Sequence, residues 1–416
     1  MIMFGQDKDK QNKKSKNQKL IIGVSTPVFV MGFVSLFTDI SSEMIQSIFP
    51  FFVLSIGGTA IAIGLITGIT NALSNILKGI TGWMSDKLNR RKPFVVGGYT
   101  LSNLSKPFIG LSSSWGMVLG LKAADRAGKG LRTSARDTMI SYYAVEKGKA
   151  FGLHRAMDTM GAVIGSILAF ILLILSWKYS EIIFFSIIPG ICAVILILTV
   201  KDVDPSKLSK KTDKNPPKSD LEKLNWKFIK LMIILGVIEF ASLDITFLMI
   251  RSVDYLGSEL FYLVPLLYLL SNVIYMISSP FTGSLSDKIG RKPIITIGLT
   301  ILLISCVILA FPITPTLFSL ILIIILFCCF GFYLASVDPI SRAYVADLAG
   351  KNKRGRAYGA YYLSVGLISL FEALIFGLIY EIYSSTIAFI YISILLLICT
   401  FIFVLTDFSK ILRKDN

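Results

Sequence analysis

Long apolar runs, separated by short polar segments, follow one another along almost the whole chain. Twelve of them approach or exceed the ~20 residues that carry a helix across a bilayer. They lie at approximately 22–55, 60–84, 93–112, 115–140, 150–176, 181–200, 228–252, 260–283, 293–311, 315–343, 357–379 and 386–406. A soluble α/β core would break such runs into short pieces with a polar face, so the pattern predicts an all-α polytopic membrane protein. The first run is too long for a cleavable leader and no small-residue cleavage site follows it, so it reads as the first span.

The loops set the orientation. Those after the second, fourth, eighth and tenth runs carry Lys87, Arg90, Arg91 and Lys92, then Lys147 and Lys149, then Lys288, Arg291 and Lys292, then Lys351, Lys353, Arg354 and Arg356. The loops after the first, third and ninth runs carry no lysine or arginine. Basic loops stay on the cytoplasmic side, which puts both termini there and predicts a multi-pass protein of the cell membrane. Residues 201–227, with eight lysines, five acids and three prolines, read as a solvated linker. The expected organisation is a basic tail (1–21), a first six-helix unit (22–200), the linker (201–227), a second six-helix unit (228–406) and a short tail (407–416).

Composition narrows the function. The chain has 416 residues, 54% of them hydrophobic, a mean hydropathy of +0.71 and a net charge of +16. The basic residues lie in loops and tails between spans, so the charge reads as topology and no nucleic-acid partner is expected. The five cysteines all sit in apolar runs and the one histidine, His154, has no ligand set around it. No metal, cofactor or disulfide framework is expected. Gly128-Lys129-Gly130-Leu131-Arg132-Thr133 lacks the upstream glycine and the strand of a phosphate loop. No Ser/His/Asp set is credible either, so no enzyme is expected.

The fourth run is the exception to the apolar pattern. Lys122, Asp125, Arg126, Lys129, Arg132, Thr133 and Arg136 recur every three or four residues, which places them on one helical face. Each charge facing lipid at the bilayer centre costs roughly 3 kcal/mol on the mildest scale. The stripe is therefore expected to face protein or a wet crevice. In the first run, Asp39 and Glu43 are four apart and share a face that Gln46 and Pro50 continue.

The halves repeat. Thr81-Gly82-Trp83-Met84-Ser85-Asp86-Lys87-Leu88-Asn89-Arg90 matches Thr282-Gly283-Ser284-Leu285-Ser286-Asp287-Lys288-Ile289-Gly290-Arg291 at six of ten positions, offset by 201. Lys149-Ala150-Phe151-Gly152 answers Arg356-Ala357-Tyr358-Gly359 at an offset of 207. On these residues the chain resembles the major facilitator superfamily of secondary transporters. The resemblance implies two six-helix bundles, related by a pseudo-two-fold axis, around a cavity that opens alternately to either side. It also makes the two repeated loops, through Gly82, Asp86, Arg90, Gly283, Asp287 and Arg291, a cytoplasmic latch. The glycines are expected to permit close helix approach and the arginines to pair across the bundle interface; topogenic anchoring alone is the plainer alternative. Arg126-Ala127-Gly128-Lys129-Gly130 is similar to the family's R-x-x-Q-G motif, with Lys129 in place of Gln, and gives Arg126 a role in substrate or proton coupling. Gly152, Gly161 and Gly165 match the antiporter motif only in part, since Ser166 stands where Pro is usual.

Charge balance adds a further expectation. At membrane depth the first half carries more bases than acids, whereas the second carries Arg251 and Arg342 against Glu239, Asp244, Asp254, Asp338, Asp347 and Glu372. Attraction across the central cleft follows, with Arg132 and Arg136 expected to pair with second-half acids as a gate. Candidates for substrate or proton coupling are Asp39, Glu43, Arg126, Lys129, Arg155, Asp158 and Glu372; a permanent salt-bridge network is the alternative for the two acids of the first run. His154 reads as a satisfied structural residue. Tyr268, Tyr275, Tyr361 and Tyr362 are packing residues or line a cavity. The expected function is a monomeric secondary transporter of a small solute, proton-coupled, with export slightly favoured. Uptake or facilitated transport of an organic anion, carriage of a cationic or neutral amphiphile, and a non-transporting receptor remain open.

Overall fold

A computed structural model of the chain describes residues 20–21, 24–88, 90–144, 147–202 and 226–406, without the side chains of 20–21, 82–83, 86–87, 147–148, 226–228 and 346–359. Most of the basic tail, the linker and the final tail lie outside the described residues, as do the side chains at Gly82, Asp86 and Asp347.

Ten described helices are long and apolar enough to cross a membrane. Two further helices complete the set. In chain order the spans are α1 Thr26–Gln46, α2 Ala60–Leu88, α3 Lys92–Ile109, α4 Trp115–Tyr143, α5 Lys147–Ile174 and α6 Tyr179–Thr199. The second half has α7 Ile229–Leu256, α8 Phe261–Ile289, α9 Arg291–Ala310, α10 Leu317–Val345, α11 Ala360–Ile382 and α12 Ser385–Leu405. The two further helices are α3 and α4, the more polar of the set, α4 because of its charged stripe. The only sheet among the described residues is a two-residue pairing of β1 (Leu20–Ile21) with β2 (Val24–Ser25) ahead of α1.

Four runs differ in detail from the periodicity. The first ends at Gln46 and restarts as a separate helix, Phe49–Ser55, because Pro50 has no N–H to give the Gln46 carbonyl. Pro189 does the same to α6, which breaks at Ser186. The seventh run is interrupted at residues 241–244 and resumes at Ile245, where the Asp244 carboxylate accepts from the Thr246 amide at 2.8 Å. Helical backbone also continues through 344–356, where a loop was expected. A straight helix of that length would be ~100 Å. Yet Asp338 and Arg342 line the same cavity as Tyr361 and Glu372, so α10 and α11 lie side by side.

Each half has its own apolar core. One large cluster spans α7–α12, with Phe247, Phe327, Phe376 and Phe389 fully buried. Two clusters serve α1–α6. Backbones approach closely where side chains are absent. A methyl on Gly98 would meet the Gly128 carbonyl at 2.6 Å, which seats α3 on α4. Between the halves, Gly64, Gly68, Gly366 and Gly377 line one seam along which α2 and α11 pack backbone to backbone. The halves also meet at the end away from the basic loops. There Phe170 of α5 faces Tyr262 with ring centroids 6.1 Å apart, and Phe51 and Ile250 each pack on the opposite half's core.

Candidate functional site

The α4 stripe points inward, as the cost of charge in lipid requires, but it is not uniformly wet. Lys122 is buried; its Nζ donates to Gln46 Oε1 at 3.0 Å and lies 4.0 Å from the Phe49 ring centroid. Arg126 Nη2 donates to the same oxygen at 3.2 Å. Its Nε has no hydrogen-bond partner and sits 3.9 Å from Asp125 Oδ2. Asp125 accepts from Ser102 Oγ at 2.6 Å. Arg132 is buried over the Tyr99 ring at 4.5 Å. Lys129 alone among these cations is exposed. The stripe is thus partly a packed polar network joining α4 to α1 and α3, and Lys129 is its open end. Arg155 of α5 is also exposed.

Glu43 joins the halves through a side-chain hydrogen bond, as Glu381 does where it accepts from the Ala60 amide at 3.0 Å. The Tyr268 hydroxyl of α8 donates to Glu43 Oε2 at 2.6 Å, a bond between positions 225 residues apart in the chain. Gly165 of α5 sits against the Glu43 side chain, and Gly161 sits against Asp39 one turn earlier. Asp39 and Glu43 therefore share the α1 face that α5 covers. One turn further along α1, Gln46 collects the two α4 cations, so acid and base lie on successive turns.

The remaining candidates separate into local groups. Asp158 Oδ2 faces His154 Nδ1 at 3.5 Å, whereas Asp158 Oδ1 and His154 Nε2, both buried, have no partner. His154 is therefore only half satisfied, contrary to the reading of it as a fully bonded structural group. Arg136 bonds Asp137 Oδ1 through Nε and Nη2 at 3.0 and 2.9 Å and reaches Ser35 Oγ at 3.5 Å. Among the described residues, the partners found for Arg132 and Arg136 belong to the first half.

In the repeated loops the described contacts are these. Asp287 pairs with Arg291 at 2.5 Å within its own loop, and Arg291 Nη1 donates to Ser286 Oγ at 2.7 Å. Arg90 is exposed. Gly283 has open space where a Cβ would sit, so it serves no close helix approach here. The connection that the motif did not signal is made by the lysines just beyond it. Lys92 Nζ donates to the Leu198 carbonyl at 3.0 Å, at the end of α6. Lys292 Nζ donates to Val404 and Thr406 carbonyls at 2.6 and 2.8 Å, at the end of α12. Each satisfies orphan carbonyls of a helix C-terminus. Asp202 secures the first loop further, accepting from the Arg91 and Lys92 amides at 3.3 and 3.0 Å.

Glu372 of α11 lines a cavity of about 440 Å³ between α2, α7, α10 and α11. It is 5% exposed and its Oε1 has no hydrogen-bond partner. Glu239 and Asp244 flank the break in α7 on the same cavity wall. Tyr361 and Tyr362 line it too, while Tyr275 donates to Asp338 Oδ2 at 3.1 Å. The α7 break has no proline or glycine to announce it, which is why residue patterns predicted a continuous span.

Two six-helix halves, internal ion pairs at bilayer depth and an inter-half cavity define a polytopic transporter. The sequence profile of the Major Facilitator Superfamily matches residues 31–274 and 260–414, and the chain belongs to that family. An uncharacterized MFS-type transporter of Methanocaldococcus jannaschii is 36% identical over 395 residues, which cover 92% of this chain and 95% of that protein. Among solved structures, the nucleoside transporter NupG superposes with a TM-score of 0.75 at 13% identity, covering 94% of this chain and 100% of that one. A POT family transporter in complex with 5-aminolevulinic acid gives 0.77 at 12% identity, covering 95% and 99%. At these identities the two structures speak to the fold alone.

Proposed function

We propose that this protein is a proton-coupled secondary transporter that moves a small solute by alternating access, with Glu43 as the coupling acid. The observation that carries the reading is the 2.6 Å bond from Tyr268 to Glu43, which ties one half to the other through an ionisable group. An ionised carboxylate accepts such a bond about twice as strongly as a neutral group. A proton arriving on Glu43 weakens the tie and lets the halves part; release restores it. Asp39, one turn away on the same face, couples to the same event.

The exposure of Lys129 and Arg155, with Phe170 and Tyr262 closing the other end, supports an inward-open state. The loop charges support a cytoplasmic position for both termini, with the two halves joined by the 201–227 linker in a monomeric protein of the cell membrane. The loops 82–90 and 283–291 act as the latch of the opposite state. Outward flux is the preferred direction.

The test is solute flux in vesicles holding the purified protein under an imposed pH gradient. The wild type is expected to accumulate or expel solute against its gradient. Glu43→Gln is expected to keep exchange of solute across the membrane but lose its dependence on the pH gradient. Unchanged pH dependence in both Glu43→Gln and Asp39→Asn would remove these acids as proton carriers.

A further inference from the structure

We infer that the cavity between α2, α7, α10 and α11 binds a small organic cation, a protonated amine or quaternary ammonium. The inference names the substrate class of the transporter and rests on that reading for its role in flux, though not for binding itself. Three properties of the cavity lead there.

The first is a buried acid with one oxygen left without a partner. Glu372 is buried at membrane depth with Oε1 unpartnered, and Glu239 and Asp244 line the same space. A carboxylate in such a place is costly without a partner. The basic groups of the cavity are already occupied. Arg342 Nη2 bonds Asp338 Oδ2 at 2.5 Å, and Lys78 Nζ bonds Asn75 Oδ1 at 3.0 Å while facing the Tyr362 ring at 5.6 Å. With Arg342 set against Asp338, three acids remain against one lysine, so the space is cation-selective.

The second property is size. A volume of about 440 Å³ suits a small organic molecule and is far too large for a bare ion. Among the described residues no group of three or more acids, histidines or cysteines is arranged to hold a metal ion. The carboxylates are spread around the space, as they would be around a molecule.

The third is the lining. Tyr333 and Tyr361 offer aromatic surface beside the acids, and an ammonium group gains from both a carboxylate and a ring face. The break in α7 brings Ser242 and Asp244 into the wall. Asn75 and Lys78 come from the first half, so parting of the halves would open the wall and release the occupant.

The test is titration of the purified full-length protein with benzyltrimethylammonium, tetraethylammonium and protonated benzylamine, and with phenylacetate as a carboxylate of matching size. Calorimetry and the shift in melting temperature are the readouts. At least one ammonium is expected to bind and raise the melting temperature, with phenylacetate inert. Glu372→Gln and Glu239→Gln are each expected to weaken that binding roughly tenfold or more, the loss typical of a charge-assisted partner. Glu239→Gln keeps the test alive should Glu372→Gln fail to fold. Preference for phenylacetate, no binding of any of the three cations, or affinity unchanged in both cavity variants would overturn the proposal. Ammonium binding without flux in vesicles would sink the transporter reading and leave the site. Flux driven by pH without ammonium binding would do the reverse.

Discussion

Tyr268 of the second half donates its hydroxyl to Glu43 of the first at 2.6 Å, while Lys122 and Arg126 converge on Gln46 less than one turn further along the same helix. An inter-bundle bond and an intra-bundle cation pair are thus mounted on consecutive turns of α1. Motion of α1 relative to α8 must change the first without breaking the second.

Removing the hydroxyl should therefore act on the conformational equilibrium. Tyr268→Phe is expected to favour separation of the halves by about 1.5–3 kcal/mol, the usual worth of a bond to a charged group. Spin labels at Phe170→Cys and Tyr262→Cys would read this as a longer distance population at the closed end. An unchanged distance distribution would show that the bond does not hold the halves together.

Gln46 is a single neutral acceptor shared by two cations. Gln46→Leu leaves Lys122 and Arg126 without it, in a site where Lys122 is buried. A loss of about 1–3 kcal/mol is expected for each group left unsatisfied, seen as a lower melting temperature in detergent and poorer recovery of folded protein. Lys122→Met in the same background should restore part of the loss, because it removes one of the stranded charges.

The glycines of the helices are not equivalent. A methyl at Gly68 would lie 2.9 Å from the Leu370 Cα, backbone that cannot swing aside, so Gly68→Ala should weaken the α2–α11 seam by about 1–3 kcal/mol. Gly283→Ala meets open space and should be neutral or slightly stabilising, since alanine is the better helix former. Paired thermal melts decide the matter; equal effects at both sites would contradict the packing described.

Lys92 and Lys292 make equivalent contacts in the two halves. Lys92→Met and Lys292→Met are each expected to cost about 0.5–1.5 kcal/mol by freeing helix-terminal carbonyls to water. Being in separate cores, the two changes should add to within about 0.5 kcal/mol in the double variant. A double variant no less stable than the singles would show that these contacts are surface incidents.

The architecture was legible because the bilayer is a strict solvent. Every spanning segment must satisfy its backbone internally and show apolar side chains to lipid, so run length, basic loops and the repeat at Asp86 and Asp287 sufficed for the twelve spans. The breaks at Pro50 and Pro189 were also available to such reading, since a missing N–H is a local property. The charged face of α4 could be placed inward on the cost of charge in lipid alone.

Tertiary structure decided the rest, because a residue's partner depends on which helices meet. Nothing around Glu43 names Tyr268, 225 residues away. Nothing around Lys122 says that it is sealed against Gln46 while Lys129, two turns on, is open. The break at 241–244 carries no breaker residue, and Glu372 becomes the wall of a cavity only when α11 lies beside α2, α7 and α10. Local chemistry determined which segments cross the membrane and which charges had to be hidden from it. Long-range packing determined which of those charges are spent on one another and which are left facing a space.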